Sequence, residues 1–167
     1  MNTHVTILLG GLWGWDGYAT SRGMIVLSDQ LSKLPTITTT IYTWDKWQEA
    51  SGVIADDIGN KHVVIGYSGG GSRATWLANF HVPAIDLMIL YDPSPKWQMK
   101  PIHDNVFSAM CYQNSAPAFF GLGGGVLTGT TKIGTRVISE NHLIVQWDQK
   151  LHATTIDLVK NLIGDVP

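Results

Sequence analysis

The sequence predicts an α/β fold: a three-layer sandwich in which a mostly parallel sheet carries helices on both faces. Short apolar runs, typical of strands buried on both faces, alternate with segments whose apolar residues recur at helical spacing. Such alternation favours parallel pairing, since each connecting helix returns the chain to the same edge of the sheet. A chain of 167 residues has the usual length of one domain, so we expect 1–167 to fold as a single domain.

The first half of the chain contains two strand–helix units. The apolar run 4–9 is the first predicted strand. The helix after it has apolar residues at intervals of three, four and three, namely Met24, Leu27, Leu31 and Leu34, and Pro35 ends it. Segment 36–44 is rich in β-branched residues and is the second strand. The second helix, 46–58, has one apolar face and is followed by Gly59, which we expect to cap it.

The second half begins with the central strand, 62–67, which passes through a glycine-rich turn into a third helix. The run 85–91 is another buried strand, and 106–112 is a further apolar run. A short strand at 135–139 precedes a last helix at 150–163, for which Gly164 is the expected cap. Between them, 121–125 is rich in glycine but lacks the Lys-Ser/Thr end of a phosphate loop, so we interpret it as a mobile flap.

Composition and charge exclude several kinds of partner. A net charge of −2 without a basic run gives no reason to expect nucleic acid or anionic lipid. The N-terminal apolar run is too short to span a membrane and lacks the Lys/Arg of a signal peptide, so we expect a cytoplasmic protein. The single cysteine, Cys111, lies in an apolar run and is expected in the core. No His, Cys and carboxylate cluster has zinc-like spacing, so neither a metal nor an organic cofactor is expected.

The pentapeptide Gly66-Tyr67-Ser68-Gly69-Gly70 lies between the central strand and its helix. In that context G-x-S-x-G indicates a nucleophile elbow, a sharp turn that presents a strained serine. Only very small residues fit two positions before and after such a serine, and the N-terminus of the next helix directs unpaired N–H groups at the reacting centre. The alternative for this turn is a glycine-rich phosphate-binding site at the helix N-terminus.

A serine nucleophile requires a histidine base and a carboxylate that orients the base. In an open parallel sheet these groups lie on loops at the carboxyl ends of strands. Asp92 directly follows strand 85–91 and is the preferred acid, with Asp16 after the first strand as the alternative. His142 follows the last strand and is the preferred base, with His152 at the start of the last helix as the alternative. The order serine, acid, histidine is the one that accompanies a nucleophile elbow.

With GGLW at 10–13, GYSGG at 66–70, YDPSP at 91–95 and a late histidine, the chain resembles small serine hydrolases of the α/β-hydrolase fold, on the lipase and esterase side. The sequence Asp-Pro-Ser-Pro at 92–95 is similar to the Asp-Pro-Ala motif of pancreatic-type lipases, where the acid follows the strand next to the elbow. The tail from Asn141-His142 onward is similar to that of small bacterial lipase-like hydrolases, whose first histidine is the base.

The sequence departs from this family at two places. The usual His-Gly after the first strand is Gly10-Gly11 here, and the elbow reads GYSGG where GHSxG is common. The chain is also short for the family, which implies a minimal α/β-hydrolase without a cap domain.

These residues predict a serine hydrolase that cleaves a small-molecule or lipid-like carboxylic ester through an acyl-enzyme intermediate. Ser68 attacks, His142 moves the proton and Asp92 holds the imidazole. The backbone N–H groups of Gly69 and Leu12 are the expected oxyanion hole. Three tryptophans on loops at the predicted crevice are the candidate substrate-binding residues, namely Trp13, Trp15 and Trp97. The alternatives are a thioesterase or amidase with the same triad, a hydrolase-fold binder of a hydrophobic ligand without turnover, and a phosphate binder.

Overall fold

The computed structural model describes residues 1–11, 17–115 and 122–164. Within these ranges six strands form one sheet in the order β2-β1-β3-β4-β5-β6, and every neighbouring pair is parallel. The strands are β1 Thr3–Leu9, β2 Ile37–Thr43, β3 Lys61–Tyr67, β4 Leu87–Tyr91, β5 Ala109–Asn114 and β6 Ile133–Ile138. The predicted α/β class with a mostly parallel sheet is confirmed.

The helices of the described ranges are α1 Gly17–Thr20, α2 Arg22–Leu31, α3 Trp47–Asp56, α4 Gly69–Ala78 and α5 Gln149–Ile163. Both ends of α5 are capped: Asp148 accepts from the backbone N–H groups of the first turn, and Gly164 adopts the left-handed conformation predicted for it. The prediction for Gly59 is wrong. Helix α3 already ends at Asp56, and Gly59 lies beyond it with a φ of +100°.

The strands supply two separate hydrophobic clusters. Ile7 and Ile65 belong to a cluster completed by residues of α2 and α5, whereas Leu8 and Val64 belong to one completed by α3 and α4. All four side chains are fully buried. Because successive side chains of a strand point in opposite directions, a strand that serves both clusters must be apolar throughout, which explains the continuous apolar runs of the sequence.

Cys111 lies on β5 and is fully buried, as expected of a core residue. Burial raises the pKa of its thiol to about 12, so the thiol stays protonated at neutral pH. The strand itself starts later than the apolar run: Val106 makes only an isolated bridge to Ile85, and β5 begins at Ala109.

The order of the strands determines where a binding crevice forms. From β1 the chain moves outward to β2, then returns to the other side of β1 with β3. The loops that leave β1 and β3 therefore diverge, and a crevice opens between them at the carboxyl edge of the sheet. No helix in the described part of the chain has the length and apolar character that crossing a membrane would require.

Candidate active site

Ser68 lies in the turn between β3 and α4, at the carboxyl edge of the sheet. Its φ of 53° and ψ of −123° are unusual for a residue with a side chain. The neighbouring glycines permit this turn. A Cβ on Gly66 would lie 2.7 Å from the carbonyl oxygen of Gly70, and one on Gly70 would collide with the carbonyl oxygen of Leu8. The crowding expected of a nucleophile elbow is therefore present at both positions.

Three side chains from three different loops form one hydrogen-bonded chain. His142 Nε2 lies 2.9 Å from Ser68 Oγ, and His142 Nδ1 lies 2.7 Å from Asp92 Oδ2. A carboxylate only accepts hydrogen bonds, so Nδ1 carries the proton and Nε2 is the acceptor for the Ser68 hydroxyl. The structure thus brings together the serine, the acid and the base that the sequence predicts.

Backbone N–H groups hold the carboxylate of Asp92. Asp92 follows β4, is fully buried and has a φ of 41°. Its Oδ1 accepts from the N–H of Asn114, at 3.1 Å, and from the N–H of Gly124, at 2.8 Å. With Oδ1 occupied in this way, Oδ2 faces His142, so the orientation of the Asp92 carboxylate does not depend on His142 alone.

Tyr67, the residue before the serine, contacts the base from the side. Its ring stacks on the His142 ring with centroids 5.4 Å apart, and its hydroxyl donates to the His142 carbonyl oxygen at 3.0 Å. Burial, and secondarily the charge of Asp92, raises the pKa of the Tyr67 hydroxyl, which remains a donor. The elbow residue that departs from the common GHSxG pattern therefore positions both the ring and the backbone of the histidine.

Gln146 fixes the loop that carries His142. Its side chain accepts from the N–H of Gly23, at 3.1 Å, and donates to the carbonyl oxygen of Thr20, at 2.7 Å, both near the start of α2. His152 Nε2 donates to the Gln146 carbonyl oxygen at 2.7 Å. His142 is thus held by a loop that is bonded to the start of α2 on one side and to α5 on the other.

Comparison with known proteins bears on the fold. No family model matches the sequence, and no curated protein matches it. Among solved structures, the crystal structure of ClbQ from the colibactin NRPS/PKS pathway is similar, with a TM-score of 0.58 at 12% sequence identity, over 99% of this chain and 98% of that chain. The fold is α/β-hydrolase-like. At this identity the likeness concerns the fold alone.

The predicted oxyanion hole lies only partly in the described residues. Gly69 is the first residue of α4, where backbone N–H groups lack an acceptor within the helix. The loop after β1 packs closely on it, since a Cβ on Gly69 would lie 2.8 Å from the carbonyl oxygen of Gly11. Leu12, the other predicted donor, lies outside the described residues.

Of the three tryptophans predicted to bind substrate, Trp97 is described. It lies in a short 3₁₀ helix, Lys96–Gln98, that follows the loop of Asp92, and its side chain is 79% exposed. Trp13 and Trp15 lie outside the described residues, as does Asp16, the alternative acid.

His152, the alternative base, does not reach the serine. It is buried, and its imidazole Nε2 bonds to the backbone of the loop that carries His142. Desolvation lowers the pKa of His152 below its ordinary value, because a buried imidazole avoids the charged form. His152 therefore holds the loop of His142 and forms no part of the Ser68, His142 and Asp92 chain.

Sequence reasoning missed two groups at the site. The described part of the glycine-rich segment, 122–125, which the sequence predicts to be a mobile flap, packs against the loop of Asp92: a Cβ on Gly123 would collide with the Asp92 carboxylate, and Gly125 donates its N–H to the Pro93 carbonyl oxygen at 2.8 Å. Ser94 belongs to the 92–95 motif, for which the sequence predicts no contact with the nucleophile, and its hydroxyl lies 3.1 Å from that of Ser68. The positive φ values of Gly123 and Gly124 explain the glycines, but the sequence holds no signal that pairs them with an acid 31 and 32 residues earlier.

Metal-binding side chains are not grouped in the part of the chain that the structure describes. There, no set of three or more His, Cys, Asp or Glu residues is placed to hold a metal ion. The arrangement at Ser68 provides a nucleophile, a proton acceptor and a carboxylate, which suffice for acyl transfer.

Proposed function

We propose that this protein is a serine hydrolase that cleaves a carboxylic ester through an acyl-enzyme intermediate. Ser68 is the nucleophile, His142 the general base and acid, and Asp92 the group that orients the imidazole. The observation that supports this most is the continuous chain from Ser68 Oγ through both nitrogens of His142 to Asp92, with distances of 2.9 and 2.7 Å. Such a chain, at a strained strand-to-helix turn, has the geometry that acyl transfer requires.

In the first step, Ser68 Oγ bonds to the carbonyl carbon of the ester while His142 Nε2 takes the hydroxyl proton. The same nitrogen then gives that proton to the leaving alcohol, and the carbon–oxygen bond of the ester breaks. In the second step His142 Nε2 takes a proton from water, and the water oxygen bonds to the acyl carbon. The bond between that carbon and Ser68 Oγ then breaks, His142 gives the proton to Ser68 Oγ, and the carboxylic acid leaves. The Gly69 N–H group, with that of Leu12, is proposed to stabilise the oxyanion of each step, at about 3–4 kcal/mol per donor by analogy with measured cases.

The proposed architecture is a minimal three-layer α/β-hydrolase of one domain without a cap. The α/β-hydrolase-like fold and the two hydrophobic clusters support it. In such a molecule the substrate meets an open groove, for which Trp97, together with Trp13 and Trp15, is proposed to supply apolar surface. The exposure of Trp97 favours this role, since a 79% exposed indole is free to contact a ligand. Short-to-medium acyl esters, such as p-nitrophenyl butyrate, are the proposed substrates.

A covalent probe tests the nucleophile directly. A fluorophosphonate is expected to add its mass once to the wild-type protein, and Ser68→Ala is expected to abolish both this labelling and the turnover of p-nitrophenyl butyrate. Ser72→Ala is the matched control, since Ser72 lies one turn along the same helix and its hydroxyl contacts Pro95 and Met99. Labelling that persists in Ser68→Ala, mapped by peptide mass spectrometry to another serine, would refute the assignment.

The leaving group is tested with one acyl chain in two forms. Butyryl ester and butyryl thioester share the acyl-enzyme and differ only in the first step. The proposal expects turnover of the ester. If the protein is labelled at Ser68 but cleaves only the thioester, it is a thioesterase and the proposed ester substrate is wrong. If it binds the butyryl ester but the fluorophosphonate does not label it, it is a binding protein without turnover.

A further inference from the structure

The geometry points to Ser94 as a further catalytic residue: its hydroxyl donates a hydrogen bond to Ser68 Oγ and so directs the Ser68 proton to His142. This inference rests on the proposed hydrolysis. It extends the chain of three side chains to four, in the order Ser94, Ser68, His142 and Asp92.

Ser94 is fixed next to the nucleophile by two contacts. Its Oγ lies 3.1 Å from Ser68 Oγ, and its backbone N–H donates to the Ser68 carbonyl oxygen at 2.9 Å. The residue is 2% exposed, so water does not readily replace the serine as a partner of its hydroxyl. The backbone bond does not involve the side chain, so the Asp92–Pro95 loop keeps its place on Ser68 when that hydroxyl is removed.

The direction of the bond follows from the donors and acceptors along the chain. The Asp92 carboxylate can only accept, so the proton of His142 lies on Nδ1 and Nε2 accepts from Ser68. The single Ser68 proton is then committed to His142. The Ser68 and Ser94 hydroxyl oxygens lie 3.1 Å apart, and only the Ser94 hydroxyl has a proton left to donate. Ser68 Oγ is therefore the acceptor.

This bond strengthens as the reaction proceeds. When Nε2 takes the Ser68 proton, negative charge builds on Ser68 Oγ until the bond to the acyl carbon is complete. A hydrogen bond to a charged acceptor is stronger than one to a neutral hydroxyl, so the Ser94 donor stabilises the transition state more than the resting enzyme, which is the condition for catalysis. Ser94 keeps its own proton throughout.

The sequence offers a mild replacement for the test. Ser94 occupies the position of alanine in the Asp-Pro-Ala motif that 92–95 resembles, so Ser94→Ala removes one oxygen from a position where a related loop holds a methyl group. Ser72→Ala is the control. The Ser72 hydroxyl donates to the carbonyl oxygen of Pro95 in the same loop, at 3.2 Å, and contacts Met99, so its removal changes the surroundings of the loop but not the Ser94–Ser68 hydroxyl pair.

The test measures the second-order rate of fluorophosphonate labelling and the kcat and KM for p-nitrophenyl butyrate. Ser94→Ala is expected to lower the labelling rate and kcat by about tenfold or more, with KM and the melting temperature nearly unchanged. Ser72→Ala is expected to stay within twofold of wild type. Ser94→Cys retains a weaker donor of similar size and is expected to fall between wild type and Ser94→Ala, which gives a readout if the alanine variant folds poorly.

The outcomes separate this inference from the function on which it rests. If the wild type is labelled at Ser68 and both Ser94 variants react at the wild-type rate, Ser94 has no catalytic role and the proposed hydrolysis stands. If Ser72→Ala lowers the rate as much as Ser94→Ala, a shift of the loop explains both and the inference is overturned. A wild type that takes up no label overturns the hydrolysis and the role of Ser94 together.

Discussion

Replacing Asp92 by asparagine is expected to abolish most of the ester turnover while leaving the fold in place. In the structure, Oδ1 accepts from two backbone N–H groups, those of Asn114 and Gly124. The amide oxygen of an asparagine can take over both bonds, whereas its NH₂ group cannot. The amide nitrogen must therefore face His142 Nδ1 and donate to it.

That contact changes which imidazole nitrogen carries the proton. An Nδ1 that accepts from the asparagine leaves the proton on Nε2, which then points at Ser68 Oγ and cannot take the hydroxyl proton. The same change in a chymotrypsin-like triad lowers kcat by about 10⁴-fold, and the fixed orientation found here predicts a loss of similar size. The loss of a charged acceptor should also lower the free energy of unfolding by about 1–3 kcal/mol.

The assay compares kcat for p-nitrophenyl butyrate and urea denaturation curves of Asp92→Asn and Asp86→Asn. Asp86 lies directly before β4, whereas Asp92 lies directly after it. The Asp86 Oδ2 atom also accepts a hydrogen bond from a backbone N–H group, that of His62, at 2.8 Å. It therefore controls for the loss of a carboxylate at the other end of the same strand. An Asp92→Asn protein within threefold of wild-type kcat would refute the reasoning, and a 10⁴-fold loss in Asp16→Asn instead would assign the acid to Asp16.

Two further predictions concern the histidines. His142→Ala should lower kcat by about a thousandfold or more, whereas His152→Ala should mainly lower stability; the reverse pattern in the same kinetic assay would exchange their roles. Because burial lowers the pKa of His152, the unfolded chain binds its proton more readily, so the free energy of unfolding should fall as the pH drops below about 6.5, by up to about 1.4 kcal/mol for each unit of pKa shift. His152→Gln should flatten this dependence between pH 7 and 5.5 in urea denaturation, and an equally steep slope in the variant would contradict it.

The parts of the site that local backbone geometry dictates could be predicted from the sequence. A sharp turn at Ser68 forbids side chains at Gly66 and Gly70, so the pattern and the structure agree. The place of Asp92 and His142 also follows from local order, since each comes after a predicted strand whose carboxyl end lies at the crevice. Gly164 could be predicted as a cap because a helix of fifteen residues with a strong apolar face ends there.

The parts that depend on distant contacts could not be predicted. The conformation of Gly124 is fixed by a carboxylate 32 residues earlier in the chain, and that of Ser94 by a serine 26 residues earlier. Nothing in the neighbouring sequence reveals either partner. Gly59 shows a different limit: a glycine near the end of a helical pattern is compatible with a cap, but α3 ends three residues before it.

Gly10 and Tyr67 are the two positions at which the sequence differs from the hydrolases that it resembles, and they lie next to each other in the structure. A Cβ on Gly10 would lie 2.9 Å from the Tyr67 ring and also 2.9 Å from the Cβ of Ser68, and the same Tyr67 ring stacks on His142. A side chain at position 10 would require both Tyr67 and Ser68 to shift, and a shift of Tyr67 would remove the stacking partner of His142. A change in the first loop of the site therefore reaches a residue of the last loop, although 132 positions separate Gly10 from His142.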